Sequence, residues 1–524
     1  MRLPTALVPL EGPVFRGLWL AWLAANMTMW MNDVAAAWLM TTLTDNALMV
    51  ALVQSASTLP VFLLGLPSGA LADITDRRLY LASTQLWVAI VALLTAVFAF
   101  ADALSAKLLL TLTFLNGIGL AMRWPVFAAI VPEVVPKPQL PAALALNGVS
   151  MNLSRVIGPT VAGALLASAG TAWVFVLNAV VAAGALVMIL RWRSRPQATT
   201  LPGERLFGAV RVGMRHVRES PRMRAVTLRV FIFALQMSAL VALMPLIARR
   251  MQGGGPGTFT LMLATMGVGA IVAALLLPRW RSRFDRDQVV TWGTVIHGTA
   301  SAIVALSPNA WVAIPAIFVV GMAWISTANT FSTSAQLALP NWVRARGMAI
   351  YQMAMMGGNA LGAVLFGNVA ALLGVQAAVV TASTAGLLLL PVIRRWSVGG
   401  RDADYDPVAA NSAAEPLSTV QPNEGPVMVT VEYYVHPSTA AEFVKVMQLT
   451  RASRLRRGAQ SWGFFRDYNT SDRYLEYFTH ENWIEHKRQL ERFNADDAEL
   501  RDRRLAFHVG AKPPVRTHYV AADH

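Results

Sequence analysis

The chain has 524 residues, of which 55% are hydrophobic and 14% are charged, and its formal net charge is +15. A soluble protein of this length would divide into several domains with far more surface charge, so the composition excludes that class and predicts a polytopic membrane protein. The chain has no cysteine, which excludes disulfides, thiolate metal sites and cysteine nucleophiles. We expect neither a metal site nor a cofactor.

Apolar runs of roughly 17–25 residues, the length that crosses a bilayer, recur through the first 396 residues. The first run is too long for the hydrophobic part of a signal peptide and lacks a suitable small-residue cleavage site, so we predict that it is a membrane span. The apolar runs, divided at the polar or charged residues between them, predict twelve spans in a lipid bilayer. They lie near 17–43, 47–71, 79–101, 107–130, 142–168, 172–191, 225–250, 258–278, 289–307, 311–334, 345–372 and 375–396.

The loops between these predicted spans alternate in charge. The longest loop, 192–224, lies within a stretch from Arg191 to Arg229 that holds ten arginines against two glutamates, a net charge of +8. An excess of Lys and Arg marks the cytoplasmic side of a membrane protein. We therefore predict that both termini are cytoplasmic. A loop that orients the chain and faces lipid headgroups is favoured over a nucleic-acid site, so we expect no nucleic-acid partner.

The chain also contains an internal repeat. Shifting the sequence by 204 residues aligns 117–170 with 321–374 without a gap. Small residues are common in packed helices in any case, but the match of Pro136 with Pro340 in equivalent loops is more specific. The repeat predicts two pseudo-symmetric halves of six helices each. Its glycine matches are Gly117 with Gly321, Gly158 with Gly362, Gly163 with Gly367 and Gly170 with Gly374.

Twelve spans in two related halves, joined by a basic loop, resemble the major facilitator superfamily. The stretch "GALADITDRR" is similar to that family's signature between its second and third helices, because Gly69, Asp73, Arg77 and Arg78 match it. Two positions depart from the signature, with Ile74 in place of an arginine and Asp76 in place of a glycine. The resemblance implies a gating latch at the cytoplasmic side. The alternative is a generic charged turn at a helix end.

The stretch "SRVIGPTVAG" in the fifth predicted span resembles the helix-5 motif of the antiporter branch. Gly158, Pro159 and Gly163 match the motif, whereas Ser154 and Ala162 replace small residues that it usually carries. Glycine lets helices approach closely, and a proline inside a helix bends it. In the family this motif is associated with export. The alternative is an ordinary kinked helix.

A closer match is to the enterobactin-exporter-like branch, the transmembrane secretion effectors. It rests on "MWMNDVAAAWL", on "VPEVVPKPQLPAALALNGVSMNLSRVIGP" and on the appended C-terminal tail; Asn152 and Arg155 match polar positions of the branch. The resemblance implies a secondary active exporter of a small organic molecule, siderophore-like or drug-like, that works by alternating access with proton antiport. The sequence has no GxxxxGK[ST] phosphate loop, so ATP-driven transport is not expected. Uptake stays an alternative, because helix count and orientation do not set the direction of flux.

Two charged residues lie near mid-depth of predicted spans, Asp33 in the first and Arg155 in the fifth. Charges at that depth are costly and tend to be functional, and buried opposite charges normally pair. We predict an Asp33–Arg155 pair in the cavity, with Asp33 as the protonatable group. The alternative is a static structural ion pair.

Further residues are predicted to line the cavity because they place aromatic or polar side chains at similar depths. For His297, a hydrogen-bonded position in the protein core is the more common alternative. The predicted lining residues are Trp30, Trp124, Gln236, His297, Trp324, Asn329, Tyr351, Gln352 and Asn359.

The tail reads as a separate domain after a segment rich in Pro, Ala, Ser and Asp, a composition typical of flexible linkers. Its patterns predict the order β-α-β-β-α-β, a ferredoxin-like α+β fold, and it resembles antibiotic-biosynthesis monooxygenase domains.

Trp462, Trp483 and His486 of the tail are candidates for a small-molecule site. A fold does not dictate an activity, and a regulatory or homodimerising module is favoured, so we do not predict an enzyme. The second hypothesis is a membrane-anchored enzyme or ligand sensor that acts through the tail. The predicted segments are 1–191, 192–224, 225–396, the linker 397–426 and the tail 427–524.

Overall fold

The computed structural model describes residues 5–191, 206–340, 342–399, 420–421 and 423–522, and at some positions in these ranges only the backbone. The chain divides into two compact units. The first unit is helical and comprises 1–202, 226–333 and 349–398; the second comprises 203–225, 334–348 and 399–524. Most of the predicted linker 397–426 lies outside the described residues.

In the part of the chain that the structure describes, thirteen α-helices precede the tail. Twelve have 19 to 31 residues, and each overlaps one predicted span. They are α1 Pro13–Leu43, α2 Ala47–Ile74, α3 Arg77–Phe100, α4 Ala106–Val134, α5 Leu140–Ser168, α6 Thr171–Arg191, α8 Pro221–Arg250, α9 Pro256–Arg281, α10 Arg286–Leu306, α11 Ala310–Leu337, α12 Arg344–Leu373 and α13 Val375–Ile393. The thirteenth, α7 (Leu206–Glu219), lies inside the basic loop, where we predicted no helix.

Nine helices in the described part of the chain are long and apolar enough to cross a membrane. The three long helices outside that set are α1, α4 and α5. Each of them carries a charged residue near its middle, namely Asp33, Arg123 and Arg155. For these three helices the membrane span stays a prediction.

The predicted duplication is confirmed by the helix register. Helices α11, α12 and α13 each begin 204 residues after α4, α5 and α6. Gly170 and Gly374, the matched residues before α6 and α13, both have a φ angle of 91°, which favours glycine. Close contacts repeat as well: Gly158 of α5 packs on Trp30 of α1, and Gly362 of α12 packs on α8. The two halves are therefore related in packing as well as in sequence.

The tail contains an antiparallel four-stranded sheet with the strand order β2-β3-β1-β4. This order and the sequence of elements are ferredoxin-like, as predicted. The second predicted helix is divided in two, because the Asn494 side chain accepts a hydrogen bond from the Asp497 amide and starts a new helix. The elements are β1 Val427–Tyr434, α14 Ala440–Arg456, β2 Ser461–Arg466, β3 Arg473–His480, α15 Trp483–Glu491, α16 Ala495–Leu505 and β4 Arg516–Val520.

Candidate functional site

Arg155 contacts tryptophans from both halves of the helical unit. Its Cζ lies 3.9 Å from the ring centroid of Trp324 on α11 and 5.2 Å from that of Trp30 on α1. A guanidinium over an indole face is attracted by the ring quadrupole. The fifth helix therefore presents its charge at the boundary between the two halves.

Several polar atoms around this guanidinium have no hydrogen-bond partner. Arg155 Nε and Nη1 and Trp30 Nε1 are buried and unpaired. A buried donor without a partner costs roughly 1–3 kcal/mol, and such groups are normally satisfied by protein or water. The site thus offers three donors to an acceptor-rich or anionic group.

Asp33 lies one helical turn beyond Trp30, and residues three apart share a helix face. Its Oδ1 is buried and has no hydrogen-bond partner. Asp33 Oδ1 and the Nε and Nη1 atoms of Arg155 thus make no hydrogen bond with one another. The Asp33–Arg155 pair stays a prediction.

The predicted lining residues on α11 and α12 occupy different environments. Tyr351 is buried and its hydroxyl donates to the carbonyl of Ala328 at 3.4 Å. Asn359, the repeat partner of Arg155, is also buried. Asn329 and Gln352 are half-buried. Their role in lining a cavity stays a prediction.

Gln236 and His297 pack among helices of the C-terminal half. The Gln236 side chain lies against Gly298 of α10 and Gly386 of α13. The His297 ring contacts Phe233 with centroids 5.4 Å apart. His297 Nδ1 also lies 3.5 Å from the Ser301 hydroxyl. A role of Gln236 and His297 in lining a cavity stays a prediction.

Only the backbone is described at four of the predicted residues: Gly69, Asp73, Trp124 and Asn152. The neighbouring basic pair is described. Arg77 and Arg78 begin α3, which Asp76 caps by accepting from the Arg78 amide at 2.8 Å. The Arg78 side chain donates to the carbonyl of Leu190 at the end of α6. This contact joins helices of one half, and the latch between halves stays a prediction.

Arg123 is a buried charge to which we assigned no role. It is 1% exposed and donates to the carbonyl of Ala25 at 3.0 Å and to Asn26 Oδ1 at 3.4 Å. Its guanidinium also lies over Trp22, 5.2 Å from the ring centroid. Arg123 thus ties α4 to α1. The signal that could have identified it is the one that identified Arg155, a lone arginine inside a predicted span.

The motif glycines of α5 permit close helix packing. A Cβ on Gly158 would lie 2.8 Å from the Cβ of Trp30, and one on Gly163 would overlap the side chain of Thr260 on α9. The equivalent contact in the other half places Gly367 of α12 against Ala51 of α2. We call the contacts of Gly163 and Gly367 the outer seam, since they join the halves at the ends predicted to be extracellular.

Gly163→Ala is expected to destabilise the outer seam by about 1–3 kcal/mol, the usual cost of overpacking. The reason is the overlap with Thr260, so Gly163→Ala combined with Thr260→Gly should recover most of the loss. The measurement is the melting temperature of the purified chain in detergent. Gly148→Ala in the same helix is the control, because its Cβ would meet nothing within 4 Å. Equal effects of the two alanines would contradict the assignment.

In the tail, Glu476 of β3 is fully buried and collects several donors. It accepts from Arg454 Nε at 2.9 Å, from the Tyr433 hydroxyl at 3.0 Å and from Trp462 Nε1 at 3.1 Å. Burial alone would raise the pKa of Glu476, but Arg454 and Arg504 outweigh burial and lower the pKa to about 2. Trp462, a candidate for a small-molecule site, thus uses its indole N–H in the domain core.

Three histidines of the tail lie together. The ring centroids of His480 and His486 are 5.2 Å apart, those of His486 and His518 are 5.1 Å apart, and Trp483 contacts His486 at 5.2 Å. Both ring nitrogens of His480 and of His486 are buried without partners. Among the described residues, no group of three or more His, Asp or Glu side chains is placed to hold a metal ion.

The tail is expected to lose stability as the pH falls from 6.5 to 4. Burial, followed by the charges of His518, Arg516 and Arg454, lowers the pKa of His486 to about 4. The unfolded chain then binds more protons than the folded domain in this window, which costs about 3 kcal/mol at pH 4 for this residue. Hydrogen exchange in β3 of the full chain at several pH values measures the loss. His486→Phe should flatten the dependence and His436→Phe, an exposed control, should not; identical slopes would contradict the prediction.

Comparison with known proteins agrees with these features. A family model described as transmembrane secretion effector matches residues 4–524. The enterobactin exporter EntS of Salmonella typhimurium is 25% identical over 400 residues, 73% of this chain and 94% of that protein. Macrolide efflux protein A of Streptococcus pyogenes is 24% identical over 62% of this chain and 80% of that protein. The staphyloferrin A transporter of Staphylococcus aureus is 24% identical, over 48% of this chain and 63% of that transporter's length.

Two solved transporters share the fold. A bacterial homolog of the human lysosomal transporter Spinster, in an inward-facing and unoccupied conformation, superposes with a TM-score of 0.58 at 16% identity, covering 76% of this chain and 97% of that one. An auto inhibited POT family peptide transporter gives a TM-score of 0.61 at 15% identity, with coverage of 76% and 99%. These likenesses concern the fold alone. Since the family model extends over residues 4–524, this chain belongs to the transmembrane secretion effector family of the major facilitator superfamily.

Proposed function

We propose that this chain exports a small organic molecule, siderophore-like or drug-like, across the cell inner membrane, with both termini in the cytoplasm. The observation that carries the proposal is the Arg155 guanidinium, which lies between indoles of both halves and keeps two buried donors unpaired. Relatives named as an enterobactin exporter and a macrolide efflux protein support export as the direction.

Alternating access uses the boundary between the halves. Transporters of this kind bind substrate near the bilayer midplane and rock one half against the other. The outer seam supports a state closed to the outside, because Gly163 packs on Thr260, and the Ser55 hydroxyl donates to the carbonyl of Ala360 at 2.8 Å. Substrate would enter from the cytoplasm and bind Arg155, and it would leave when the seam opens.

Proton antiport is proposed to use Asp33, whose buried Oδ1 has no partner. Carboxylates inside membrane spans commonly serve as proton relays, so proton uptake from outside and release inside can alternate with substrate. Asp33→Asn is expected to abolish export driven by a pH gradient while counterflow down a substrate gradient persists. Both are measured in vesicles with an imposed pH gradient. Full gradient-driven export by the variant would remove Asp33 as the coupling acid.

The test of the function itself is metabolite profiling of the growth medium. Cells that produce the intact protein should release at least one organic molecule that cells lacking the protein retain. Cells that produce the Arg155→Ala variant should retain this molecule too. Identical media in all three cases would refute export.

The second candidate is an enzyme or ligand sensor in the tail, and the observation in its favour is the set of unpaired imidazole nitrogens of His480 and His486. Deleting 427–524 distinguishes the two functions. An exporter should retain measurable efflux without the tail, whereas a tail enzyme or sensor should lose all activity.

We also propose that the tail forms a homodimer. The sheet face opposite the helices leaves Met428, Phe465 and Tyr519 between 37% and 56% exposed, and exposed apolar patches mark interaction sites. The mass of the purified full chain, measured by light scattering, should be twice that of a monomer, and Phe465→Glu should lower it.

A further inference from the structure

Helix α7 and the tail belong to one compact unit. That unit comprises 203–225, 334–348 and 399–524. The tail is thus assembled with two segments that lie far before it in the sequence. One is α7, between the two halves, and the other joins α11 to α12.

The first contact is polar. Arg215 of α7 donates through Nη1 to the carbonyls of Ala459 at 2.6 Å and Gln460 at 2.7 Å. Both carbonyls follow the C-terminal end of α14, where the helix dipole favours a cation. Hydrogen bonds from a charged donor are about twice as strong as neutral ones, so Arg215 anchors α7 to this helix end.

The second contact is aromatic and lies at the centre of the assembly. Trp342, from the segment between α11 and α12, contacts the His216 ring of α7 with centroids 5.6 Å apart and the Arg492 guanidinium of the tail at 4.5 Å. His216 is 4% exposed, and its Nδ1 lies 3.3 Å from the carbonyl of Arg456. One tryptophan therefore joins three segments of the chain, as central aromatic residues do in protein interfaces.

Ion pairs surround this centre. Arg211 of α7 pairs with Glu481 of the tail, and Glu219 of α7 lies 3.7 Å from Arg451 of α14. Partly exposed pairs of this kind contribute roughly 0–1 kcal/mol each. These pairs therefore contribute more to the register of α7 on the tail than to the affinity of α7 for the tail.

The connections of these segments limit what the assembly can do. The segment 203–225 runs into the first turn of α8, and 334–348 holds the end of α11 and the first turn of α12. These three helices belong to the C-terminal half, and no part of 1–191 is in the unit. The unit therefore holds the ends of α8, α11 and α12 together.

We propose that the tail binds α7 and the segment 334–348 as permanent partners and thereby braces the ends of α8, α11 and α12, so that they move as one body during transport.

The first experiment tests docking and uses the absence of cysteine from the chain. Arg211→Cys with Glu481→Cys should be cross-linked rapidly and nearly completely by a short bis-maleimide in the full-length protein in membranes. Arg211→Cys with Tyr468→Cys is the control, since Tyr468 is 99% exposed in the turn between β2 and β3, at the opposite end of that hairpin from Glu481, and it should react at least tenfold more slowly. Equal rates for the two pairs would overturn the docking.

The second experiment tests the brace with Trp342→Ala in the full chain. Amide hydrogen exchange in the first turns of α8 and α12 should become at least tenfold faster, whereas the first turn of α3 should not change. Trp311→Ala is the control, because Trp311 is 87% exposed. If the cysteine pair is cross-linked but Trp342→Ala does not change hydrogen exchange in α8 and α12, the brace is overturned. Neither readout needs a substrate, so both hold even if the proposed function fails.

Discussion

Replacing Arg155 with alanine is expected to reduce export at least 100-fold while the protein stays folded in the membrane. Truncating one partner of a buried charged contact costs about 2–5 kcal/mol, and 100-fold corresponds to about 2.7 kcal/mol. Folding should suffer little, because Nε and Nη1 of Arg155 have no hydrogen-bond partner to lose. The measurement is the initial rate at which inside-out vesicles take up the molecule identified by profiling, because the lumen of such vesicles corresponds to the outside of the cell.

The Arg155→Lys variant distinguishes the contribution of the positive charge from that of the planar guanidinium. Lysine keeps the positive charge but lacks the planar guanidinium that stacks on Trp324, so we expect a loss of about tenfold, between wild type and alanine. Arg250→Ala, an exposed arginine at the end of α8, is the control and should export normally. Wild-type export by Arg155→Ala would remove the candidate site.

Glu476→Ala is expected to unfold the tail or to destabilise it by about 3–5 kcal/mol, because it leaves the buried Arg454 without its carboxylate. The same carboxylate accepts from Tyr433 and Trp462, so the variant also leaves those donors unpaired. Denaturant titration of the full chain, followed by hydrogen exchange in β1 and β3, measures the loss. Glu499→Ala, on an exposed position of α16, should change stability by less than about 0.5 kcal/mol.

The sign of the acid dependence follows from the lowered pKa of Glu476. The folded carboxyl titrates at about 2 and its ordinary pKa is 4.5, so its stabilising contribution is fully present above pH 4.5 and is lost between pH 4.5 and 2. This window overlaps the histidine window only between pH 4.5 and 4, so the two contributions can be separated. A variant that lacks Glu476 yet retains the wild-type loss below pH 4.5 would contradict this assignment.

The helical unit could be predicted from the sequence because its determinants are local or repeated. Long apolar runs predicted all twelve long helices, and the shift of 204 residues predicted the register of α4 and α5 with α11 and α12. Alternating and helical periodicity also predicted the β-α-β-β-α-β order of elements in the tail. Its second helix was predicted as one piece, because the cap at Asn494 depends on a single side chain.

The parts that we did not predict depend on contacts between distant residues. Helix α7 reads as a basic loop, since its arginines find partners such as the carbonyl of Ala459 only in the folded chain. The position of Gln236 depends on glycines of two other helices. The stacking of Arg155 on Trp324 joins residues of different halves, and no spacing along the sequence indicates which aromatic ring a guanidinium will meet.

The duplication of α4 to α6 in α11 to α13 holds in register but not in chemistry. Where the first copy has Arg155, the second has Asn359. Trp324, which the Arg155 guanidinium contacts, is likewise matched by Leu120 in the first copy. The two copies have therefore diverged into complementary partners, because one contributes the cation and the other contributes the aromatic ring that meets it.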